Sequence, residues 1–458
     1  MRWKIIATTA LTLGSLLVGS DALGAASLTT LQSWTGGTGY VFSQPTVLST
    51  GVLYGVLSNG VNSAKGTIYS LTPPKSGTAW ALATISSFTG GATGGYPLGG
   101  LVADGAGNLY GTSFGGGKTS SPCSYVNGSI SGCGTVFKLT PPKSGVTWTR
   151  TVIYTFGGGA DGIGPLGNLR FDTSGNLYGV TQWGGCTPTL TYPNGCGTAF
   201  KLTPPKSGTT WVETVLYRFQ GGASDGAYPN APLLLDSANN LYGSTLYGGA
   251  ANCGSTSGDP DGRCGVAFEL VNKAGVYSMN LLHSFTDGAD GSLPGNGLVG
   301  DSAGNLYGTT LQGGNVTVAC QQFGHSGCGT VFKLAPPNGS ITTWTKSTAH
   351  TFAGSDGAYP GMLLMNSAGA LFGVASENSA SSYKCSFYCG DVFKLTQANN
   401  VWSSTTVHLF TDGTDNAGPQ FGLAASSIGT LYGVSLYNVT STVYSITGAT
   451  FAKRNRHH

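Results

Sequence analysis

The segment Gly175-Asn176-Leu177-Tyr178-Gly179 recurs, with small changes, along almost the whole chain. Its leucine–aromatic–glycine core places an aromatic residue at positions 54, 110, 178, 242, 307, 372 and 432. The steps between these positions run from 56 residues (110 − 54) to 68 residues (178 − 110). A repeat of this size predicts one stacked or closed array, rather than the three or so separate domains that 458 residues would otherwise suggest.

Each repeat contains four segments with the character of β-strands. The first is an apolar run after a proline, such as Pro165 to Phe171, and the second holds the Leu-Tyr-Gly core. The third alternates, as in Thr198 to Leu202, which is typical of a half-buried strand. The fourth runs from a tryptophan to a phenylalanine, as from Trp211 to Phe219. Four antiparallel strands repeated seven times predict an all-β, seven-bladed β-propeller, with the recurring aromatic residues packed between blades.

The two ends of the chain complement each other. Leu31 to Gly37 resembles the end of a fourth strand, although no blade precedes it. The last repeat has three strand segments, ending at Val443 to Ile446, and lacks a fourth. We therefore expect the N-terminal strand to complete the last blade and close the ring, which also removes an exposed sheet edge. Residues 27–448 are predicted to form this single propeller.

The first residues are typical of a secretory signal peptide. Arg2 and Lys4 precede an apolar stretch from Ile5 to Val18, and small residues follow at 22–26. This predicts a signal peptide at 1–26, with an uncleaved anchor as the alternative. No second apolar stretch could span a membrane. We expect a mature chain that is monomeric and secreted, periplasmic or on the cell surface, with a short basic tail at 449–458.

The ten cysteines fall in five close pairs, each after the Leu-Tyr-Gly strand of its repeat. Spacing alone does not fix their connectivity, but one pair per repeat favours local disulfides. A zinc site is the alternative, because Cys385-x-x-x-Cys389 resembles half of one. Export to an oxidising compartment favours disulfides. The expected pairs are Cys123/Cys133, Cys186/Cys196, Cys253/Cys264, Cys320/Cys328 and Cys385/Cys389.

The links between blades are rich in Asp-Gly. In a propeller these links open on the same face as the cysteine loops, so their carboxylates would form a ring. Such a ring could bind calcium or a cationic ligand. Asp-Gly is also the ordinary composition of a tight turn, and this alternative is favoured, so no cofactor is expected. The aspartates concerned are Asp161, Asp225, Asp287, Asp290, Asp356, Asp412 and Asp415.

Four residues near the bases of the cysteine loops are candidates for ligand binding. Aromatic faces beside an amide suit a sugar-binding platform, although the same side chains could simply pack beneath the loops. The candidates are Phe114, Trp183, Tyr247 and Gln312.

No catalytic site is predicted. The glutamates stand in different repeats, and three histidines occupy one strand position in separate blades. Neither a nucleophile elbow nor a metalloprotease motif is present. The net charge of +3 has no basic cluster, which argues against a nucleic-acid partner. The residues concerned are Glu213, Glu269, Glu377, His283, His350 and His408.

Several motifs resemble the GloVer tandem repeat of the "choice-of-anchor" secreted bacterial proteins. They are Gly-Asn-Leu-Tyr-Gly-Thr-Thr at 304–310, Gly-Thr-Val-Phe-Lys-Leu-Thr-Pro at 134–141 and Tyr-x-Phe-x-Gly-Gly-x-Asp-Gly-x-x-Pro at 154–165. The resemblance extends from about Leu31 to Ile446. It implies export and a repeat array, often followed by a C-terminal anchor, but no activity and no catalytic residues. No sorting motif or anchor follows Ile446, which leaves surface attachment open.

The functional expectation is therefore a secreted or envelope binding module for an extracellular polysaccharide or protein. The alternative is a hydrolase or lyase that acts on such a polymer through dispersed loop residues, since a propeller fold does not decide function. A structural envelope protein is a third alternative.

Overall fold

The computed structural model describes residues 26–35, 40–41, 43–58, 65–123, 131–189, 191–249, 264–317, 320, 326–378, 389–411, 417–437, 440–449 and 451. The described strands form seven separate antiparallel sheets. Five sheets have four strands, and the other two have five because their first strand is divided into two short strands. This confirms the all-β, seven-bladed propeller. No helix in the described ranges is long and apolar enough to cross a membrane.

The strands are numbered in chain order, beginning with β1 (Ser27–Trp34). Blade one contains β2 (Thr46–Val47), β3 (Leu53–Leu57), β4 (Thr67–Thr72) and β5 (Ala81–Ser87). Blade two contains β6 (Val102–Ala103), β7 (Leu109–Ser113), β8 (Thr135–Thr140) and β9 (Thr149–Thr155). Blade three contains β10 (Ile163–Phe171), β11 (Leu177–Trp183), β12 (Thr198–Thr203) and β13 (Val212–Arg218).

Blade four contains β14 (Gly226–Pro229) and β15 (Leu234–Leu235), which share one edge, then β16 (Leu241–Gly248), β17 (Val266–Lys273) and β18 (Val276–Ser284). Blade five contains β19 (Val299–Gly300), β20 (Leu306–Thr310), β21 (Thr330–Ala335) and β22 (Thr345–Thr351). Blade six contains β23 (Ala358–Pro360), β24 (Leu364–Met365), β25 (Leu371–Glu377), β26 (Asp391–Ala398) and β27 (Val401–Leu409). Blade seven contains β28 (Pro419–Ala425), β29 (Leu431–Tyr437) and β30 (Thr440–Thr447).

The ring closes through the N-terminal strand. The sheet of blade seven has the order β1-β30-β29-β28, so β1 is its outer, fourth strand. The antiparallel register pairs Ser27 with Thr447 and Trp34 with Ser441. The predicted closure is consistent with this arrangement. β1 begins at the residue after the expected signal peptide, whose residues 1–25 lie outside the described part of the chain.

β10 of blade three covers the whole predicted run from Pro165 to Phe171, whereas the first strands of blades two and five pair over only two residues. The apolar run from Pro97 to Val102 contributes only Val102 to β6. Tyr96, just before the proline, has φ 56°, and Tyr228 and Tyr359 have φ 58° at the equivalent positions. The left-handed residue does not itself end the pairing, since Tyr228 and Tyr359 lie within β14 and β23; in blade two the pairing with the second strand begins only at Val102.

The Leu-Tyr-Gly segment needs its glycine because an aromatic ring of the third strand lies directly over this residue. Gly111 pairs with Phe137 across the sheet, and a Cβ at Gly111 would stand 2.7 Å from the Phe137 ring. The third-strand aromatic ring lies over this glycine in every blade. The residues that cover it are Tyr69, Phe137, Phe200, Phe268, Phe332, Phe393 and Tyr444.

Neighbouring blades meet through these same rings. The aromatic residue at the end of each fourth strand, or directly after it, packs on the third-strand ring of the following blade, with centroids 4.9–5.3 Å apart. We call this set the first aromatic ladder. Its seven contacts are Phe88–Phe137, Phe156–Phe200, Phe219–Phe268, Phe285–Phe332, Phe352–Phe393, Phe410–Tyr444 and Trp34–Tyr69. The last contact joins blade seven to blade one, because Trp34 ends β1.

A second aromatic ladder joins the tyrosine of Leu-Tyr-Gly to the next blade. Its contacts are Tyr54–Trp148, Tyr110–Trp211, Tyr242–Trp344, Tyr307–Trp402 and Tyr432–Trp80, and Tyr178 hydrogen-bonds with Tyr277. Phe372 of blade six instead meets Phe451 at 5.2 Å. Because the fourth strand of blade seven comes from the N-terminus, a residue after β30 fills this place. The predicted packing of aromatic residues between blades is confirmed.

The first strands meet around the axis and are therefore innermost. The Gly100 amide donates to Asn168 Oδ1 at 2.6 Å, joining blades two and three. The Met362 amide donates to the carbonyl of Phe421 at 2.6 Å, joining blades six and seven. Gln44 of blade one also reaches the Met362 sulfur at 3.5 Å, so side chains from blades one and six meet across the centre.

Two rings of the first aromatic ladder carry a hydroxyl that has no hydrogen-bond partner among the described residues. Tyr69 and Tyr444 are fully buried, and neither hydroxyl forms a hydrogen bond with the described residues. Burial raises the pKa of both phenols. An unpaired buried hydroxyl destabilises a fold, since the group loses water and gains nothing.

Replacing Tyr69 or Tyr444 with phenylalanine, the residue used in the other blades, should therefore stabilise the protein by about 1 kcal/mol. Urea unfolding measures this change. Tyr110→Phe is the matched control and should destabilise the protein, because the Tyr110 hydroxyl donates a hydrogen bond to Asp104 Oδ2 at 3.1 Å. A loss of stability in Tyr69→Phe would show that its hydroxyl has a partner.

Candidate ligand-binding face

Within the described residues, one contact recurs on the same face of the ring at six blade junctions. The amide of the left-handed residue that starts a blade donates to the carbonyl at the end of the loop between the second and third strands of the preceding blade, at 2.5–3.1 Å. This loop carries cysteines in every case except that of Lys65 in blade one. The proline that follows packs on the glycine after that carbonyl, as Pro165 does on Gly134. We call this face the clasp face. The donor and acceptor pairs are Tyr96/Lys65, Gly164/Cys133, Tyr228/Cys196, Leu293/Cys264, Tyr359/Cys328 and Gly418/Cys389.

Disulfides hold the clasp carbonyls in place. Cys123–Cys133, Cys186–Cys196 and Cys320–Cys328 are bonded, with Cα atoms 5.0, 5.5 and 5.2 Å apart. These three predicted pairs are confirmed and exclude zinc at their sulfurs. Cys264 and Cys389 are also disulfide-bonded. Their expected partners, Cys253 and Cys385, lie outside the described residues.

The aspartates of the links are bonded to side chains of the adjoining blades, and Asp290 also forms an ion pair with Lys346 of blade five at 2.8 Å. The Tyr154 hydroxyl donates to Asp161 and the Tyr217 hydroxyl to Asp225, each at 2.8 Å. His283 Nε2 lies 3.0 Å from Asp290, and His350 Nε2 lies 3.0 Å from Asp356. Asp287 accepts from Ser292 at 2.9 Å, whereas Asp412 and Asp415 lie outside the described residues.

These bonds give His283 and His350 structural partners, and both histidines lie on fourth strands, as the sequence indicated. Within the described chain, no three His, Cys, Asp or Glu side chains converge as a metal site would require. Calcium binding was the less favoured interpretation of the sequence, and the structure does not test it.

The three glutamates also lie in different blades. Glu269 accepts from Tyr242 at 2.9 Å and from Asn280 at 2.9 Å. Burial, with a smaller contribution from Asp161, raises the pKa of Glu213 to about 7. Glu377 lies on the clasp face and is 6% exposed.

Phe114 and Trp183 contact each other rather than solvent. Their ring centroids are 5.1 Å apart, and the side chains are 3% and 8% exposed. The Phe114 ring also covers Gly164, the left-handed residue of the next blade. This pair therefore packs beneath the loops of the clasp face, which was the alternative to a sugar-binding platform. A role of the pair in ligand binding stays a prediction.

Tyr247 and Gln312 lie together with residues that the sequence analysis did not select. The Tyr247 ring is 5.2 Å from Tyr228. The Gln312 side-chain amide hydrogen-bonds to the Tyr359 hydroxyl, and its Oε1 accepts from Ser326 at 3.0 Å. Burial raises the pKa of Tyr359, the hydrogen bond from Gln312 lowers it by less, and the charge of Glu377 raises it further. We call Tyr228, Tyr247, Gln312, Tyr359 and Glu377 the tyrosine cluster, which draws on blades four, five and six.

Two tyrosines of the cluster occupy a strained backbone position. Tyr228 and Tyr359 both have φ 58°, where glycine is favoured. Blades three and seven do use glycine there, at Gly164 and Gly418. The backbone therefore does not require tyrosine, so the side chain is the reason for it. A sequence signal exists, since both stand in Asp-Gly-Ala-Tyr-Pro.

A buried carboxyl lies next to this cluster. Asp391 is 0% exposed and starts β26, where the equivalent residues of other blades are Thr135, Thr198 and Thr330. Its Oδ2 accepts from Asn378 at 2.7 Å, and its Oδ1 forms no hydrogen bond with a described residue. Burial, aided by the charge of Asp356, raises the pKa of Asp391 to about 8. The carboxyl is therefore protonated at neutral pH.

This raised pKa makes stability pH-dependent. The unfolded carboxyl ionises near pH 3.9, so between about pH 4 and about 8 the folded state binds the extra proton. Stability should then fall as the pH rises through this window. Asp391→Asn should raise the melting temperature most at pH 8 and weaken this fall, as measured by calorimetry from pH 5 to pH 8.

Asp356→Asn is the matched control, and it should lower the melting temperature where Asp391→Asn raises it. Although burial raises the pKa of Asp356, its hydrogen bonds from His350 and the Ala353 amide lower it overall. Its stabilising contribution is present above about pH 4, so this variant should melt lower at neutral pH. An Asp391→Asn variant that melts lower at pH 8 than the parent would contradict the assignment.

The Gloeobacter/Verrucomicrobia repeat family matches residues 123–317 and 253–456, which together cover more than half of the chain. The protein belongs to this family, and the sequence resemblance is confirmed. No match was found among curated proteins.

Solved structures with similar architecture are distant. A gluconolactonase from Xanthomonas campestris is 14% identical, with a TM-score of 0.37 over 77% of this chain and 87% of that one. A protein of unknown function from Dyadobacter fermentans is 11% identical, with a TM-score of 0.38 over 92% and 99% of the two chains. At these scores the similarity says nothing about activity.

Proposed function

We propose that the protein is an exported binding module whose clasp face takes a sugar unit of an extracellular glycan. The tyrosine cluster is the observation that carries this proposal. It gathers three phenol rings, an amide and a carboxylate from three blades. Sugar rings stack on aromatic faces, while their hydroxyls need donors and acceptors of the kind that Gln312 and Glu377 supply.

The strained tyrosines support binding rather than packing alone. A left-handed tyrosine costs of order 1 kcal/mol, and such residues gather at ligand sites. The clasp holds the backbone of Tyr228 and Tyr359 to the preceding disulfide loop, so the rings are fixed before a ligand arrives. A preorganised site loses less entropy on binding.

Export is supported by the chemistry of the loops. Three local disulfides fit an oxidising, extracellular compartment, and the signal peptide predicted at 1–26 would deliver the chain there. A partner protein in place of a glycan is the other outcome that a binding screen would reveal.

A polysaccharide hydrolase or lyase is the second candidate. The observation in its favour is that Glu377 and Tyr359 interact within one cluster, with Asp391 beside it. A carboxylate and a phenol could supply an acid and a base. This candidate predicts product release from a bound glycan, which the binding module does not.

The test begins with a glycan array probed by the mature protein, followed by calorimetric titration of each hit. Tyr359→Gly should weaken the affinity at least tenfold, because it removes the central phenol while giving the left-handed position its favoured residue. Its melting temperature should stay close to that of the parent.

Tyr96→Gly is the matched control. It makes the same backbone change at φ 56° in blade two, outside the tyrosine cluster, and should leave the affinity unchanged. Equal losses in both variants, or no glycan bound at all, would contradict the proposed function. Chromatography of the glycan after incubation separates the enzyme from the binding module.

A further inference from the structure

A groove of about 670 Å³ opens between blades two and three on the face opposite the clasps. The turns between first and second strands and the connectors between third and fourth strands meet on this face. Tyr110 forms its floor, and Phe171, Trp211 and Lys138 form its walls. A volume of this size holds one or two sugar rings.

The aromatic rings of the groove are held in fixed orientations. Tyr110 lies edge-on to Phe171 at 5.2 Å and to Trp211 at 6.0 Å. Tyr110 is 4% exposed, whereas Phe171 and Trp211 are half-buried and present part of their rings to the groove. The second aromatic ladder therefore supplies both the contact between blades and an apolar surface for a ligand.

The polar groups of the groove differ in how many hydrogen bonds they can still offer a ligand. Asp104 accepts four hydrogen bonds, from the amides of Ala106 and Asn108, the Asn108 side chain and the Tyr110 hydroxyl. Asp172 is occupied in the same way. The Lys138 ammonium stands 5.7 Å from the centre of the Tyr110 ring.

Lys138 has donors to offer a ligand. Of the residues that the structure describes, none forms an ion pair with it. Thr140 and Thr151 add hydroxyls to the lining. The groove thus combines aromatic rings with free donors, and its two carboxylates outnumber its one ammonium.

We propose that this groove binds a neutral sugar ring, as a second glycan site beyond the one proposed on the clasp face. The aromatic walls take the apolar face of the ring, while Lys138 and the threonine hydroxyls bond its hydroxyl groups. The two occupied carboxylates disfavour an acidic sugar. They already hold their hydrogen bonds, so they also offer little to a cationic ligand.

The interface between blades five and six provides a matched control. Lys333 stands 5.9 Å from the centre of the Tyr307 ring, and Trp402 packs on Tyr307 at 5.8 Å. Met365 occupies the place of Phe171 there. Lys333→Gln therefore removes the same charge from an equivalent position outside the groove.

In the experiment, the mature protein is titrated with cellotriose, xylotriose, galactotriose and trigalacturonic acid. Heteronuclear NMR monitors binding at each step of the titration. At least one neutral trisaccharide should shift the resonances of Trp211 and Lys138. Lys138→Gln should weaken its affinity at least fivefold, while Lys333→Gln leaves the affinity unchanged. Trp211→Phe, which keeps a ring against Tyr110, should also weaken binding.

The two glycan sites can be told apart. Tyr359→Gly should leave binding in the groove unchanged, so failure at the clasp face would not count against the groove. The proposal is overturned if no neutral trisaccharide shifts these resonances, if Lys138→Gln and Lys333→Gln behave alike, or if trigalacturonic acid binds more tightly than the neutral probes.

Discussion

The architecture depends on one contact, the packing of the last ring of a fourth strand on the third-strand ring of the next blade. Each such pair is worth about 0.5–1.5 kcal/mol beyond the apolar area that it buries. The contact needs a glycine directly beneath the ring, as Gly111 lies beneath Phe137. This requirement ties the second strand of a blade to its third strand and to its neighbour, and it explains why Leu-Tyr-Gly recurs.

Because these contacts lie between the blades, the two faces of the ring are available for different functions. The clasps bind the first strands of blades three to seven to disulfide loops, so the aromatic residues at the start of blades four and six are held rigidly. On the opposite face, the tyrosine–tryptophan contacts leave a groove where one blade interface differs from the rest. Function is expected where the copies of a repeat differ, and both proposed sites lie at such places.

Sequence reasoning was most successful where a physical pattern repeats. Alternation predicted the third strands, and the spare segment ending near Trp34 predicted the closure. Phe451 was missed because it follows the last strand and lies in a segment that its charge marks as a tail. The run predicted from Pro165 to Phe171 was found as β10, but the equivalent run of blade two pairs only at Val102 and Ala103, and nothing in an apolar run reveals that difference.

The candidate site was only half predicted, for a related reason. Tyr247 and Gln312 were selected from their place at the loop bases. Tyr228 and Tyr359 stand in turns that look like scaffold, and their strain becomes visible only in the backbone angles. Glu377 was set aside because glutamates in different repeats seemed far apart, whereas the closed ring brings blades four, five and six to one surface.

The most direct test of this account is the unfolding of Trp34→Ala beside Phe156→Ala, followed in urea by tryptophan and tyrosine fluorescence and by circular dichroism. Phe156 makes its ladder contact in the middle of the chain, and Trp34 makes the equivalent contact where the ring closes. The account predicts that each variant loses about 3–5 kcal/mol and unfolds in one cooperative transition. A Trp34→Ala variant as stable as the parent would contradict it, because the ring would not then depend on its closing strand.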